Sequence, residues 1–171
     1  MVILLLASLA ALAAPEPVVD RMALVLVRVL AYDASLEPSG PLKIGVFPAS
    51  SADGVAVITT LNGLAGVTVA GRPIGAPRAL AGDDLPRELA GLDAVVVCTG
   101  ADEQLAALAV AARAAHVPLL TVRAEYVGRG AALGVRADGP RLTLLVDLGE
   151  AVAQGSAFSA DMLQLAERVD R

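Results

Sequence analysis

The sequence has little of what most catalytic and nucleic-acid chemistry is built from. Its 171 residues include one histidine, His116, one cysteine, Cys98, no tryptophan, two tyrosines and two phenylalanines. A single histidine, with no Ser or Cys in a nucleophile-elbow sequence, leaves triad chemistry without a base or a nucleophile. No His or Cys pair stands at ligand spacing and no acidic loop has the EF-hand form, so no metal site is expected. No cofactor motif is present either: a phosphate-binding P-loop is absent, and Gly128-Arg129-Gly130-Ala131-Ala132-Leu133-Gly134 fails as a dinucleotide fingerprint. Its last glycine comes one residue late, and a strand rather than a helix is expected to follow. The 13 Lys and Arg residues are scattered against 18 Asp and Glu, for a formal charge of −5. With no basic run and no aromatic stacking series, a nucleic-acid partner is excluded. One cysteine cannot form an intrachain disulfide; Cys98 closes the run Ala94-Val95-Val96-Val97 and reads as a buried strand residue.

What is present is apolar, at 56% of the chain, enough for one domain with a substantial core. Residues 2–13 form an unbroken run of apolar and small residues interrupted only by Ser8, and it stops at Pro15-Glu16-Pro17. A membrane span needs roughly 20 apolar residues, so this shorter run fits a signal peptide better. Ala11-Leu12-Ala13 has the small-x-small form of a cleavage site, which gives residues 1–13 as the export segment and 14–171 as the mature domain. The competing reading is a buried N-terminal helix.

Residues 18–32 lack a helix breaker and predict a mostly buried helix. Arg21, Leu24 and Arg28 share one of its faces, the only polar stripe it has, and are candidates for contact with a protein partner. Residues 42–47 predict a first strand. A helix then runs to about Gly63, with Ser50 and Asp53 in capping-box spacing. Residues 67–69 and 74–77 flank a turn at Gly71-Arg72-Pro73. Asp83-Asp84 opens a short helix to Leu89, residues 93–98 form the clearest buried strand, and residues 101–115 form an alanine-rich helix ended by His116-Val117-Pro118. Another strand follows at 119–122. Residues 131–136 and 142–148 around Asp138-Gly139 predict a hairpin. A short helical piece follows at 150–154, and a final amphipathic helix is expected over 159–169, with Met162, Leu165, Ala166 and Val169 turned inward. The fold class is therefore α/β: a three-layer domain with a mostly parallel mixed sheet and a C-terminal antiparallel hairpin.

Open sheets of this class bind ligands at the carboxyl ends of their strands. Ser50 and Ser51 follow the first strand, Thr99 and Gly100 the central one, and Arg123 the next. Hydroxyls, helix N-terminal amides and a cation could converge there on a small anion, as in one lobe of a solute-binding protein. As ordinary helix caps the same residues need no ligand.

In order along the chain, Gly71-Arg72-Pro73-Ile74, the strand Leu92-Asp93-Ala94-Val95-Val96-Val97, Leu120-Thr121-Val122, Gly128-Arg129-Gly130, Leu144-Leu145-Val146-Asp147-Leu148 and Ser159-Ala160-Asp161-Met162 resemble the YfiR/HmsC-like periplasmic proteins. The chain departs from that family in its first helix, where only Tyr32 stands in place of an aromatic-rich segment ending in Trp-Pro. Gly130-Ala131, Asp147 and Ser159-Ala160 replace the family's Gly-Gly, Asn and Ser-Ser. The resemblance implies a non-catalytic periplasmic α/β domain, often a homodimer. Such a domain restrains an inner-membrane signalling protein, a diguanylate cyclase or sensor kinase, until an envelope signal relieves it.

Overall fold

The computed structural model describes residues 18–37 and 39–169; the expected export segment lies outside them. Helix α1 (Val18–Val29) continues through a 3-10 turn at Leu30–Tyr32 and leads to strand β1 (Ile44–Phe47) and helix α2 (Ala52–Gly63). A small hairpin, β2 (Thr68–Val69) and β3 (Arg72–Pro73), precedes β4 (Arg78–Ala79), α3 (Leu85–Leu89), β5 (Ala94–Val97), α4 (Leu105–Ala115) and β6 (Leu119–Thr121). A second 3-10 turn, Ala124–Tyr126, leads into β7 (Leu133–Asp138) and β8 (Arg141–Val146), followed by α5 (Leu148–Ala153), α6 (Ala160–Leu165) and β9 (Ala166–Arg168).

The main sheet has the order β4-β1-β5-β6-β7-β8-β9. Every neighbouring pair in it is parallel except the β7–β8 hairpin. The central strands are apolar at every position because the period of two sends alternate side chains into two separate cores. Ile44, Val46, Ala94, Val96 and Cys98 pack beneath α1 and α2, against Leu26, Val27, Val57 and Leu61. Phe47, Val95, Val97 and Leu119 pack on the other face with Leu89 of α3 and Leu105, Leu108 and Ala112 of α4. The expected α/β class, the mostly parallel sheet and the C-terminal hairpin are all present.

Three local expectations are corrected. The cap of α2 is Ser51, not Ser50: its Oγ accepts from Gly54 N at 3.0 Å and donates to Pro48 O at 3.0 Å. The helix starts there because Gly54 sits against backbone; a Cβ on it would come within 2.3 Å of Pro48 O. The alanine-rich helix begins at Leu105 rather than near Ala101, after a turn through residues 102–104. The last helix stops at Leu165, and the residues after it extend as β9 alongside β8, pairing Leu144 with Ala166 and Val146 with Arg168. Leu165, expected inward, is 75% exposed, whereas Met162 is buried as expected. An uncovered β8 would leave a row of unpaired N–H and C=O groups, and satisfying them outweighs the helical preference of three residues.

Candidate functional site

Because β1, β5 and β6 are adjacent and parallel, their carboxyl ends share one rim, and Ser50, Ser51, Thr99, Gly100 and Arg123 all lie on it. The rim is nevertheless not an open anion site. The Thr99 hydroxyl donates to the Asp53 carboxylate, and Arg123 is paired with Glu125, an exposed partner two residues on. Asp53 also acts electrostatically on Arg123. Ser51 is used in capping, and Ser50 is exposed with no side-chain hydrogen bond among the described residues. Carboxylates thus stand where the sequence places an incoming anion. Cys98, beneath this rim, is fully buried, and burial together with Asp53 pushes its thiol up to about 12. It is an inert packing residue, as its position in the apolar run implies.

Further along the rim Tyr126 is buried, and its hydroxyl donates to Asp102 at 2.7 Å. Arg129 reaches the same carboxylate at 3.4 Å and lies 5.7 Å from the tyrosine ring centroid. The Tyr126 hydrogen bond, then Arg129, holds the Asp102 carboxyl below its ordinary range. Gly130 explains the Gly-Arg-Gly sequence in physical terms. Its φ is +130° and a Cβ there would meet the Ala109 methyl at 2.8 Å, so glycine lets the loop lie directly on α4.

The opposite rim holds what sequence reasoning missed. Arg113 of α4 chelates the buried Glu150 of α5 through Nε and Nη2 at 2.7 and 2.8 Å. Gln154, one turn along, donates to Glu150 at 2.9 Å and to Gly130 O at 2.7 Å, and it accepts from Leu119 N at 2.7 Å. A cavity of about 530 Å³ opens beside this network, lined by Arg113, Asp147, Glu150 and Arg168 among others. The Glu150–Gln154 spacing is compatible with one helix turn, but nothing in the sequence tells that both turn inward. Arg72 is likewise hidden: it is 4% exposed and grips Asp93 with two hydrogen bonds of 2.9 and 3.0 Å. His116 has no catalytic neighbours of the triad type. It ends α4 in the left-handed region, with its backbone N–H bonded to Arg113 O and its side chain exposed.

Beside α3, Glu88 accepts hydrogen bonds from the N–H groups of Ala81, Gly82 and Asp83 at 3.0–3.1 Å. Burial works against its charge, but these backbone donors and that of Asp84 prevail and lower its pKa. A carboxylate with a depressed native pKa stabilises fully above its unfolded value and loses that contribution as pH falls through the native one. Loop 81–84 should therefore open on acidification below the ordinary carboxylate pKa. Hydrogen exchange at Gly82 should rise there and should already be fast at neutral pH in Glu88→Gln; equal protection in both proteins would refute the assignment.

On α1, Arg28 is exposed, Leu24 is half-buried, and Arg21 donates to Pro140 O at 2.8 Å in the hairpin turn. Arg21 thereby joins α1 to the β7–β8 turn.

A family model described as YfiR/HmsC-like matches residues 24–167. No curated protein matches the chain. Among solved structures, a conserved domain protein from Vibrio cholerae O1 biovar El Tor is similar with a TM-score of 0.62 at 14% identity, over 89% of this chain and 60% of that one. An ABC domain from Streptococcus pneumoniae in complex with L-Trp gives 0.60 at 11% identity, with the same coverages. A ligand-free, open substrate-binding protein with adhesive properties from Clostridium difficile gives 0.57 at 13% identity, over 75% of this chain and 54% of that one. The chain thus spans about 60% of the length of the first two structures it resembles, and at these identities the likeness is one of fold.

Proposed function

Since the chain belongs to the YfiR/HmsC-like family, we propose that it is a non-catalytic periplasmic regulator that binds and restrains an inner-membrane signalling protein. The partner class we infer is a diguanylate cyclase. The observation that carries this reading is the extent of the family match, which runs from within α1 to β9. No helix among the described residues is long and apolar enough to cross a membrane. Residues 1–13 supply export in this reading, and the outer face of α1 supplies the contact.

Crosslinking in cells should recover an inner-membrane protein with a periplasmic sensor domain, and deletion of the gene should raise cyclic-di-GMP. The double variant Leu24→Asp, Arg28→Glu should lose partner capture by about tenfold or more, as expected when a contact centre is charge-reversed. Its melting temperature should stay within a few degrees of the parent, because Arg28 is exposed and Leu24 only half-buried. Unchanged cyclic-di-GMP together with undiminished capture would reject the reading. A second reading, a small-molecule binding module, is favoured by the likeness of the fold to a domain holding L-Trp and to a substrate-binding protein.

A further inference from the structure

We propose that the cavity at the foot of β8 and β9, remote from the rim where the sequence places a ligand, binds a small oxyanion, a carboxylate or a phosphate. β8 is antiparallel to β7, and β9 follows β8, so Asp147 and Arg168 emerge on the rim where β5 and β6 begin. There they meet Arg113, which sits in the last turn of α4 just before β6. The resulting space of about 530 Å³ is within the size range of small-molecule sites.

The charges around it are sorted by depth. Both carboxylates are withdrawn: Glu150 is 2% exposed and Asp147 4%. Glu150 is chelated by Arg113 and hydrogen-bonded by Gln154, while Asp147 Oδ1 accepts from Glu150 N at 2.9 Å. Both arginine side chains reach solvent, Arg113 at 38% exposure and Arg168 exposed. The chelate with Glu150 uses the Nε and Nη2 edge and leaves Nη1, in the same plane, outside it. A buried acid therefore fixes one arginine in place, which removes the rotamer entropy that an exposed arginine normally loses on binding. Arg168 makes no ion pair among the described residues and stands exposed at the cavity's edge. One fixed fork and one exposed cation facing a shared cavity suit a planar carboxylate or a phosphate, and they suit a cationic ligand poorly.

The test is an amide-resolved NMR titration of the purified protein with inorganic phosphate and, separately, with succinate, which distinguishes the two sources of the oxyanion. Saturable shifts are expected at Gly149 and Val169, which line the cavity. Arg168→Gln should weaken binding by about tenfold, the effect of losing one charge-assisted hydrogen bond. Arg141→Gln removes the same charge from the hairpin end of β8 and should leave the titration unchanged. Absence of saturation with both anions, or equal weakening by Arg141→Gln, would overturn the proposal. No partner protein enters the experiment, so its failure leaves the regulator reading untouched, and failure of partner capture leaves this site standing.

Discussion

Arg72→Ala should lower the unfolding free energy by about 3–5 kcal/mol, the usual cost of removing one member of a buried ion pair. The side chain is 5% exposed and Asp93 16%. Its Nε donates to Gly40 O at 2.9 Å and its Nη2 to Pro41 O at 3.0 Å, while Nη1 and Nη2 grip both carboxylate oxygens of Asp93. Asp93 in turn accepts from Lys43 N at 2.8 Å. One guanidinium thus ties the β2–β3 hairpin to the segment entering β1 and to the start of β5. Removing it leaves the partly buried Asp93 carboxylate with Lys43 N as its remaining donor, while the carbonyls of Gly40 and Pro41, on exposed residues, turn to water. Arg72→Lys keeps the charge but cannot span both oxygens and the two carbonyls, so it should fall between the parent and the alanine variant. Urea unfolding curves with matched slopes would measure the difference; a loss below about 1 kcal/mol for the alanine variant would show the clamp to be unimportant.

Gln154→Ala comes second, at about 3 kcal/mol, because one side-chain amide satisfies two buried backbone groups and also donates to Glu150, which Arg113 continues to hold. Leu119 N, Gly130 O and Glu150 Oε1 all lose a partner, and leaving a buried polar group unsatisfied costs roughly 1–3 kcal/mol each, less whatever a water recovers. Gln154→Glu should be nearly as harmful, since it brings a second carboxylate against Glu150 and removes the donor to Gly130. Thermal denaturation of both variants beside Val152→Ala, an exposed change on the same helix, checks this. Variants indistinguishable from Val152→Ala would mean the network carries no stability.

The centre of the sheet was legible because β1 and β5 are short runs without a polar side chain, a pattern that both faces of a parallel sheet impose. The Asp138-Gly139 signal located the hairpin, and the register joins Asp138 to Arg141 across it. What escaped was set by tertiary demand. Residues 166–168 look helical in isolation and become a strand because β8 lies open beside them. Ser50 and Ser51 are equivalent on paper, and only the contact of Gly54 with the Pro48 carbonyl chooses between them. The candidate ligand residues were correctly gathered on one rim, but pairing decided their use: Asp53 and Glu125 occupy the neighbourhood that Thr99 and Arg123 were expected to offer. Arg72 was expected in a turn and Glu150 in a short helical piece, and a one-dimensional pattern does not reveal which charge finds a buried partner.

The strand order also bears on how the polypeptide emerges from ribosome or translocon. From β5 to β9 the sheet follows the order of the sequence, but β1 lies between β4 and β5, pairing Gly45 with Arg78 and Ile44 with Ala94. As synthesis proceeds from the N-terminus, β1 must wait, apolar on both faces, until residues 78–79 and 94–97 have followed it out. Pairings that distant in sequence are slow to form and leave sticky segments uncovered meanwhile. The layout makes β1 the segment with the longest wait for both of its neighbours, whatever the stability of the finished sheet.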